Sequence, residues 1–490
     1  MTQSLKQQTI SGIIWSGVQR FGTVALNFVS NVVLARLLRP DDFGYIGMLM
    51  VFIAISDSFV NGGFDSALLQ KKKPTDTDYS TIFHFNLLFS FILYLLLFIF
   101  APTISSFYKL GQLALMLRVM GIITIINALA LVQNNQLQKK LYFNKLAIIN
   151  LASIAIGTIA GIILALLGFG VWSLIIKTIL NAVSRSFLCW ALSKWKPILV
   201  FSFTSFKELF SFGGLIFLSD ITETIVNQLV SLIIGKTYSS EKLGYYTQAN
   251  NLQRIPETTI PFVISQVFFP VFSSIQDNID KVVGALKKSI KALAFVNFPL
   301  MVVLMVIAKP LILILFTEKW LESVPYFQIL CLGGMLYSLN SGNVTVLKAL
   351  GQGKSILYIS IVKRLISLVF IIIGTKFGIY GIILGSVLSI YVWLPINAYY
   401  IGKLTGYSFS RQTRDIAPTF IISILVGSII FFSFSFIGVV NNFLLIALQL
   451  ISYSILYIGS AYLIDNESLK IYLGIALDTL SRLKKQNEHY

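Results

Sequence analysis

The amino-acid sequence predicts an all-α polytopic membrane protein of about fourteen transmembrane helices. They are expected to form two parallel-repeat six-helix lobes around a central cavity, followed by two extra C-terminal helices. Three observations carry this prediction. First, 56% of the 490 residues are hydrophobic and only 12% are charged, which leaves too little polar surface to cover a water-soluble globule of this size. Second, apolar stretches of about 20 residues, the length that crosses a bilayer core, recur along the chain with short connections between them. Third, the chain resembles itself after a shift of 200 positions. Phe43-Gly44-Tyr45 then meets Leu243-Gly244-Tyr245, and Asn27 meets Asn227.

The spans fall in order. Residues 1–195 hold six of them, near 11–37, 43–67, 80–101, 112–133, 146–167 and 170–193. The opening MTQSLKQQTI is polar, lacks a small-residue cleavage site and runs into a full-length span, so the first helix is expected to be retained. A linker at 196–207 leads to a second set at 208–404, near 208–235, 243–272, 285–316, 323–347, 355–376 and 378–402. Pro256 and Pro261 make a kink expected in the second helix of that set. The 200-position shift also lays Arg20 on Asp220, Asp57 on Glu257 and Arg36 on Lys236. Six helices separate the copies, an even number, so both insert in one orientation and form a parallel repeat. Gly168-Phe169-Gly170-Val171-Trp172 opens the sixth helix as Phe377-Gly378-Ile379-Tyr380-Gly381 opens the twelfth. Spans near 415–436 and 442–463, within 405–464, have no counterpart in the repeat. The tail 465–490 has apolar residues at helical spacing and a basic end, as expected of an amphipathic cytoplasmic segment lying on the inner membrane surface.

A net charge of +18 does not point to nucleic acid, because the basic residues sit in short clusters between apolar spans. With the N-terminus inside, clusters such as Lys71 to Lys73, Lys139-Lys140 and Lys287-Lys288 all fall on the cytoplasmic side. The outer loops are poor in Lys and Arg, so both termini are expected to be cytoplasmic. Cys189 and Cys331 lie inside apolar runs and read as small core residues. Enzyme chemistry is not indicated. The two histidines, His84 and His489, have no metal-ligand spacing, and no nucleophile has a recognisable base. Gly351-Gln352-Gly353-Lys354-Ser355 lacks the spacing of a phosphate loop and reads as a tight turn. No cofactor is expected beyond a coupling Na⁺ or H⁺ gradient, or the membrane potential.

The informative residues are polar ones inside the spans, where charge is expensive and marks function. Arg20 and Asn27 share one face of the first helix, seven residues apart. Asp220, Glu223 and Asn227 share a face of the seventh. Asn250, Arg254 and Glu257 share a face of the eighth, while Lys177, Asn181, Ser184 and Arg185 form a stripe on the sixth. Asp57, Lys363 and Arg364 add to the set. A hydrated cavity rich in Arg and Lys suits an anionic headgroup, and the guanidinium fork grips phosphate in a bidentate manner. Arg20, Arg254, Lys177, Arg185, Asn27, Asn227, Lys363 and Arg364 are therefore candidate substrate-binding residues. Asp220, Glu223, Asp57 and Glu257 are candidates for coupling-ion binding or for ion pairs that hold helices together. Arg118 and Asp65 lie near helix ends and are expected at the membrane interface, and His84 is expected to be a polar core residue.

TISGIIWSG (9–17), LARLLRPDDFGYIGM (34–48), FVNGGFDSALLQKK (59–72), LQKKLYFNKLAI (137–148), VFFPVFSSIQDN (267–278) and LFTEKWLESVPYFQILCLGGML (315–336) resemble the Wzx-type polysaccharide exporters, especially the WzxC-like branch. The resemblance runs in order from about residue 5 to 400. It implies a bacterial inner-membrane flippase of the multidrug/oligosaccharidyl-lipid/polysaccharide superfamily. Such a protein would move undecaprenyl-pyrophosphate-linked oligosaccharides from the inner to the outer leaflet by alternating access. Its partners would be the lipid-linked substrate, membrane lipids, and the glycosyltransferases and polymerase of the same pathway, with no nucleic acid. Other readings are a drug or lipid II exporter of the same fold and, in another class, a membrane-embedded polymerase, an acyltransferase or a scaffold of polysaccharide assembly.

Overall fold

A computed structural model describes residues 5–436, 441–464 and 468–469. All but two residues of the expected amphipathic tail lie outside that range. The chain divides into two compact units, Met1–Gln248 and Ala249–Tyr490, and among the described residues every regular element is a helix.

The first unit contains α1 (Leu5–Leu37), α2 (Pro40–Asn61), α3 (Phe64–Gln70), α4 (Asp76–Tyr108), α5 (Leu113–Met120), α6 (Ile122–Lys139), α7 (Phe143–Leu166), α8 (Val171–Ser193), α9 (Phe203–Thr237) and the first turns of α10 (Ser240–Ser274). Local chemistry sets the ends. Pro40 stands in the first turn of α2, where a missing N–H loses no helical bond. Asp41 and Asp42 complement the positive end of the dipole there. Thr75 and Asp78 cap α4 reciprocally, through Asp78 N–H to Thr75 Oγ1 at 3.2 Å and Thr75 N–H to Asp78 Oδ2 at 2.8 Å.

The second expected span is two helices. Gly62 and Gly63 adopt left-handed φ of 53° and 71° and break it into α2 and α3. A side chain at Gly63 would also meet the Gly213 carbonyl of α9 at 2.1 Å. Gly63→Ala therefore adds a left-handed penalty of about 1–2 kcal/mol to a backbone clash. A drop of several degrees in the melting temperature of the detergent-solubilised protein is the expected result. The fourth span likewise divides into α5 and α6 at Gly121, and the linker shortens to 194–202 because α9 begins at Phe203.

Outward faces are apolar. Leu88, Phe91, Leu95 and Ile99 make an exposed stripe on α4, while Asn86 and Ser90 are fully buried on the same helix. This inversion of a soluble protein's pattern is what a hydrocarbon solvent selects. Close packing replaces the hydrophobic effect as the force between helices. On α7 the GTIAG stretch presents Gly157 and Gly161 to α8, so closely that a Cβ at Gly157 would lie 2.6 Å from the Lys177 carbonyl.

The seventh expected helix, α9, packs on α2, α3 and α4, which carries the first compact unit past the linker and into α10. The N-terminal turns of α2 and α10 cross there with a reciprocal geometry. A Cβ on Gly44 would stand 1.8 Å from the Ser240 carbonyl oxygen, and one on Gly244 would stand 1.9 Å from that of Pro40. Each contact is the other with its residue numbers exchanged and shifted by 200. Ser240 also donates to Asp41 Oδ1 at 2.6 Å.

The second unit holds the rest of α10, α11 (Ile279–Val306), α12 (Ala308–Phe316), α13 (Ser323–Ala349), α14 (Gly353–Gly374), α15 (Gly378–Thr405), α16 (Phe409–Phe436) and α17 (Asn442–Leu463). The ninth expected span ends early and restarts as α12. Pro310 has no N–H for the Val306 carbonyl, which favours the break. α13 is the central element and packs on α11 and α15. Buried amides weld these helices together: Asn297 donates to the Gly334 and Met335 carbonyls, Asn397 to Asn340 at 2.6 Å, and Asn343 to Gln412 at 3.1 Å. The two added helices dock on α11 and α12, with Tyr457 donating to the Phe295 carbonyl at 2.9 Å and Lys291 3.1 Å from Asp415. Gly351 turns between α13 and α14 at φ 69°, so the GQGKS stretch is a tight turn.

Candidate functional site

In the first unit, the structure gathers polar side chains from four helices. Asn127 of α6 donates to Asp57 of α2 at 3.1 Å. Two turns further along α6, Asn135 donates to Asp65 of α3 at 2.7 Å and to its backbone carbonyl at 2.8 Å. Arg185 of α8 acts electrostatically on both carboxylates. The arrangement lowers the cost of charge at membrane depth, since each acid has an amide donor and lies in the field of one guanidinium. Asp57 and Arg185 were expected in such a set. Asn127, Asn135 and Asp65 were not; Asp65, expected at the membrane interface, bonds Asn135 in this interhelical cluster. The one signal available was numerical: Asp57 to Asn127 and Asp65 to Asn135 are both separated by 70 positions.

Ser58, beside Asp57, bonds Thr224 of α9 at 2.8 Å. The polar face of α9 is only partly covered. Asp220 and Asn227 are exposed and Glu223 is half-buried. On α1, Asn27 is exposed and Arg20 half-buried. Lys177 and Asn181 of α8 lie with their backbones against the α7 glycines, leaving Lys177 half-buried.

The second unit carries its own groups. Arg254 of α10 is exposed and acts on half-buried Glu257, whose carboxylate also accepts from Gln253. Lys363 and Arg364 of α14 both lie over the Trp393 ring of α15, at 5.5 and 5.9 Å from its centroid, within cation–π range. That contact holds this basic pair against the aromatic face. His84 is absorbed locally, its Nδ1–H donating to the Ser80 carbonyl at 2.7 Å. Arg118 covers the Phe98 ring at 4.5 Å. Among the described residues no group of His, Cys, Asp and Glu is placed to hold a metal ion, and Cys189 and Cys331 are free and buried.

Comparison with known proteins matches residues 33–325 to the model of a family described as polysaccharide biosynthesis protein. The chain is 28% identical over 423 residues to the succinoglycan biosynthesis transport protein ExoT of Rhizobium meliloti, covering 85% of this chain and 83% of that one. It is 24% identical over 443 residues to the lipopolysaccharide biosynthesis protein WzxC of Escherichia coli, covering 87% and 89%. Among solved structures, the lipid II flippase MurJ in an inward closed conformation superposes with a TM-score of 0.75 at 17% identity, over 92% of this chain and 98% of that one. An inward-facing multidrug resistance MATE family transporter follows at 0.63 and 19%, over 82% and 99%. These two likenesses establish the fold, that of a polytopic α-helical membrane protein.

Proposed function

Since the chain belongs to the polysaccharide biosynthesis protein family and is a multipass membrane transporter of the Wzx type, not an enzyme, we propose that it flips undecaprenyl-pyrophosphate-linked oligosaccharide repeat units from the inner to the outer leaflet of a bacterial cytoplasmic membrane. Both termini are cytoplasmic in this reading, which rests on the distribution of Lys and Arg. The lobes at 1–195 and 208–404 open alternately to the two membrane faces. One observation carries the reading. Asn27, Asp220, Asn227 and Arg254 are exposed within helices long enough to span the bilayer, and exposed polar groups at that depth require water or a polar cargo, not lipid.

The chemistry follows from the cargo. A pyrophosphate and its sugars must pass the hydrocarbon, while the polyprenyl tail can stay in lipid. Arg20 and Arg254 supply guanidinium groups for the phosphates. The exposed amides and Asp220 suit sugar hydroxyls. The Asp57 cluster binds the coupling cation, either H⁺ or Na⁺, because a buried carboxylate with one oxygen held by Asn127 and the other without a protein partner can take a small ion.

The test is a leaflet assay with a lipid-linked oligosaccharide in proteoliposomes. Arg20→Ala and Arg254→Ala are expected to lower the rate about ten- to a hundredfold each, the loss of one charge-assisted contact of about 1.5–3 kcal/mol. Normal rates in both variants, at normal expression, would remove the arginines from the site. Protection of cells against cationic dyes, without flipping, would favour a drug exporter.

A further inference from the structure

A basic pocket of about 610 Å³ opens in the first unit where α3, α6 and α8 end and α4 begins. Four lysines line it: Lys72, Lys139, Lys140 and Lys194. Lys139 is committed, donating to the carbonyl oxygens of Leu69 at 2.6 Å and Lys71 at 2.5 Å. The other three are exposed and have no hydrogen-bond acceptor or carboxylate partner among the described residues. One acid, Asp76, also lines the pocket. Asp76 accepts from Trp195 Nε1 at 3.1 Å, while Asp78 and Glu208 share Lys71 at 3.1 and 2.9 Å. Burial pulls the Lys71 ammonium down, but the two carboxylates outweigh it and hold its pKa above the ordinary lysine value. Four ammonium groups against the one Asp76 carboxylate leave the lining net positive, a field that concentrates anions.

Its back wall is aromatic. Trp195 is buried and stands edge-on to Tyr79 at 6.0 Å, the amphipathic pairing found where bilayer meets water. The chain then leaves Trp195 as a strap along the first turns of α4, tied by Ile198 N–H to Ser80 Oγ at 3.0 Å and Ser202 N–H to Thr81 Oγ1 at 3.1 Å. The strap and the first residue of α9 turn apolar side chains outward, with Leu199 96% and Phe203 71% exposed. Apolar side chains exposed to that degree gain free energy on entering the acyl region.

We propose that this pocket binds the phosphate of an anionic lipid headgroup, with the 198–203 strap seated among the acyl chains beside it. Lysine ammonium groups bind phosphate as mobile point charges, and basic residues close to a membrane surface each add about 1 kcal/mol of attraction. The strap is what favours a lipid over a soluble phosphate, since no free ion would need it. The inference rests on the chain being an integral membrane protein and not on which oligosaccharide it carries.

The experiment measures lipid retained by the purified protein in native mass spectrometry, and its melting temperature on adding phosphatidylglycerol, phosphatidylcholine or inorganic diphosphate. Wild type should retain and be stabilised by phosphatidylglycerol alone. The triple variant Lys72→Gln, Lys140→Gln, Lys194→Gln should lose at least about tenfold in apparent affinity, while the same positions changed to Arg should keep it. Lys348→Gln, Lys354→Gln, Lys403→Gln, an equal charge change in the second unit, should leave binding intact. Equal loss in both Gln triples would overturn the site in favour of general surface attraction. Stabilisation by diphosphate as strong as by phosphatidylglycerol would overturn the lipid as its source. Because flipping is not the readout, neither outcome bears on the transport assay above.

Discussion

Gly44→Val is expected to stop flipping while the helices still insert, and Gly244→Val to do the same. At both positions the added carbon would fall on a backbone oxygen of the facing helix, at 1.8 Å from Ser240 and 1.9 Å from Pro40. Neither partner is a side chain that can rotate away, so the N-terminal turns of α2 and α10 must part until ordinary contact is restored. Overpacking of this kind costs about 1–3 kcal/mol, which reduces the packed state about fivefold to a hundredfold relative to the parted one. If that crossing closes one face of the transporter in part of the cycle, the variants stay locked out of the closed state. Cysteines at Asp41 and Ser240, whose side chains meet at 2.6 Å, report the crossing directly. Crosslinking should be efficient in the parent and weak when Val is added at 44 or 244. Unimpaired crosslinking and flipping in both Val variants would show that the crossing is not a gate.

Asp57→Asn carries the second large effect. The amide keeps the volume and can still bond Asn127, so the helices of the first unit should remain packed. What disappears is the negative charge that faces Arg185 and that a coupling cation would need. Flipping driven by an ion gradient should fall about tenfold or more, on the scale of one lost charged contact, and residual flipping should no longer respond to collapsing the Na⁺ or H⁺ gradient. Asp65→Asn, made in the same cluster, separates the two acids. A full rate with undiminished gradient dependence in Asp57→Asn would exclude this carboxylate as the coupling group.

The segment FLSDITETIVNQLVSLIIG (217–235) illustrates what sequence alone can and cannot decide. Its length and apolarity mark a span, and its acids mark a polar face, because both properties depend only on the local run of residues. The membrane class, the approximate positions of the spans and the repeat at 200 positions follow for the same reason, whereas the breaks at Gly62-Gly63, Gly121 and Ile307 came from the structure. The reciprocal contacts of Gly44 and Gly244 then give that repeat a geometric counterpart. Which helix covers α9, however, is settled by α2, α3 and α4, and those contacts reach across more than a hundred residues. Partner choice has the same character. An asparagine in an apolar helix satisfies its amide wherever an acceptor lies, so Asn127 with Asp57 and Asn135 with Asp65 emerge only once α6 is laid beside α2 and α3. The lysine pocket is likewise invisible in the chain, where Lys72, Lys140 and Lys194 are separate surface charges. Local hydropathy and backbone sterics thus determined the elements and their class. Tertiary packing decided which polar groups meet, because pairing energy depends on distances that sequence separation does not encode.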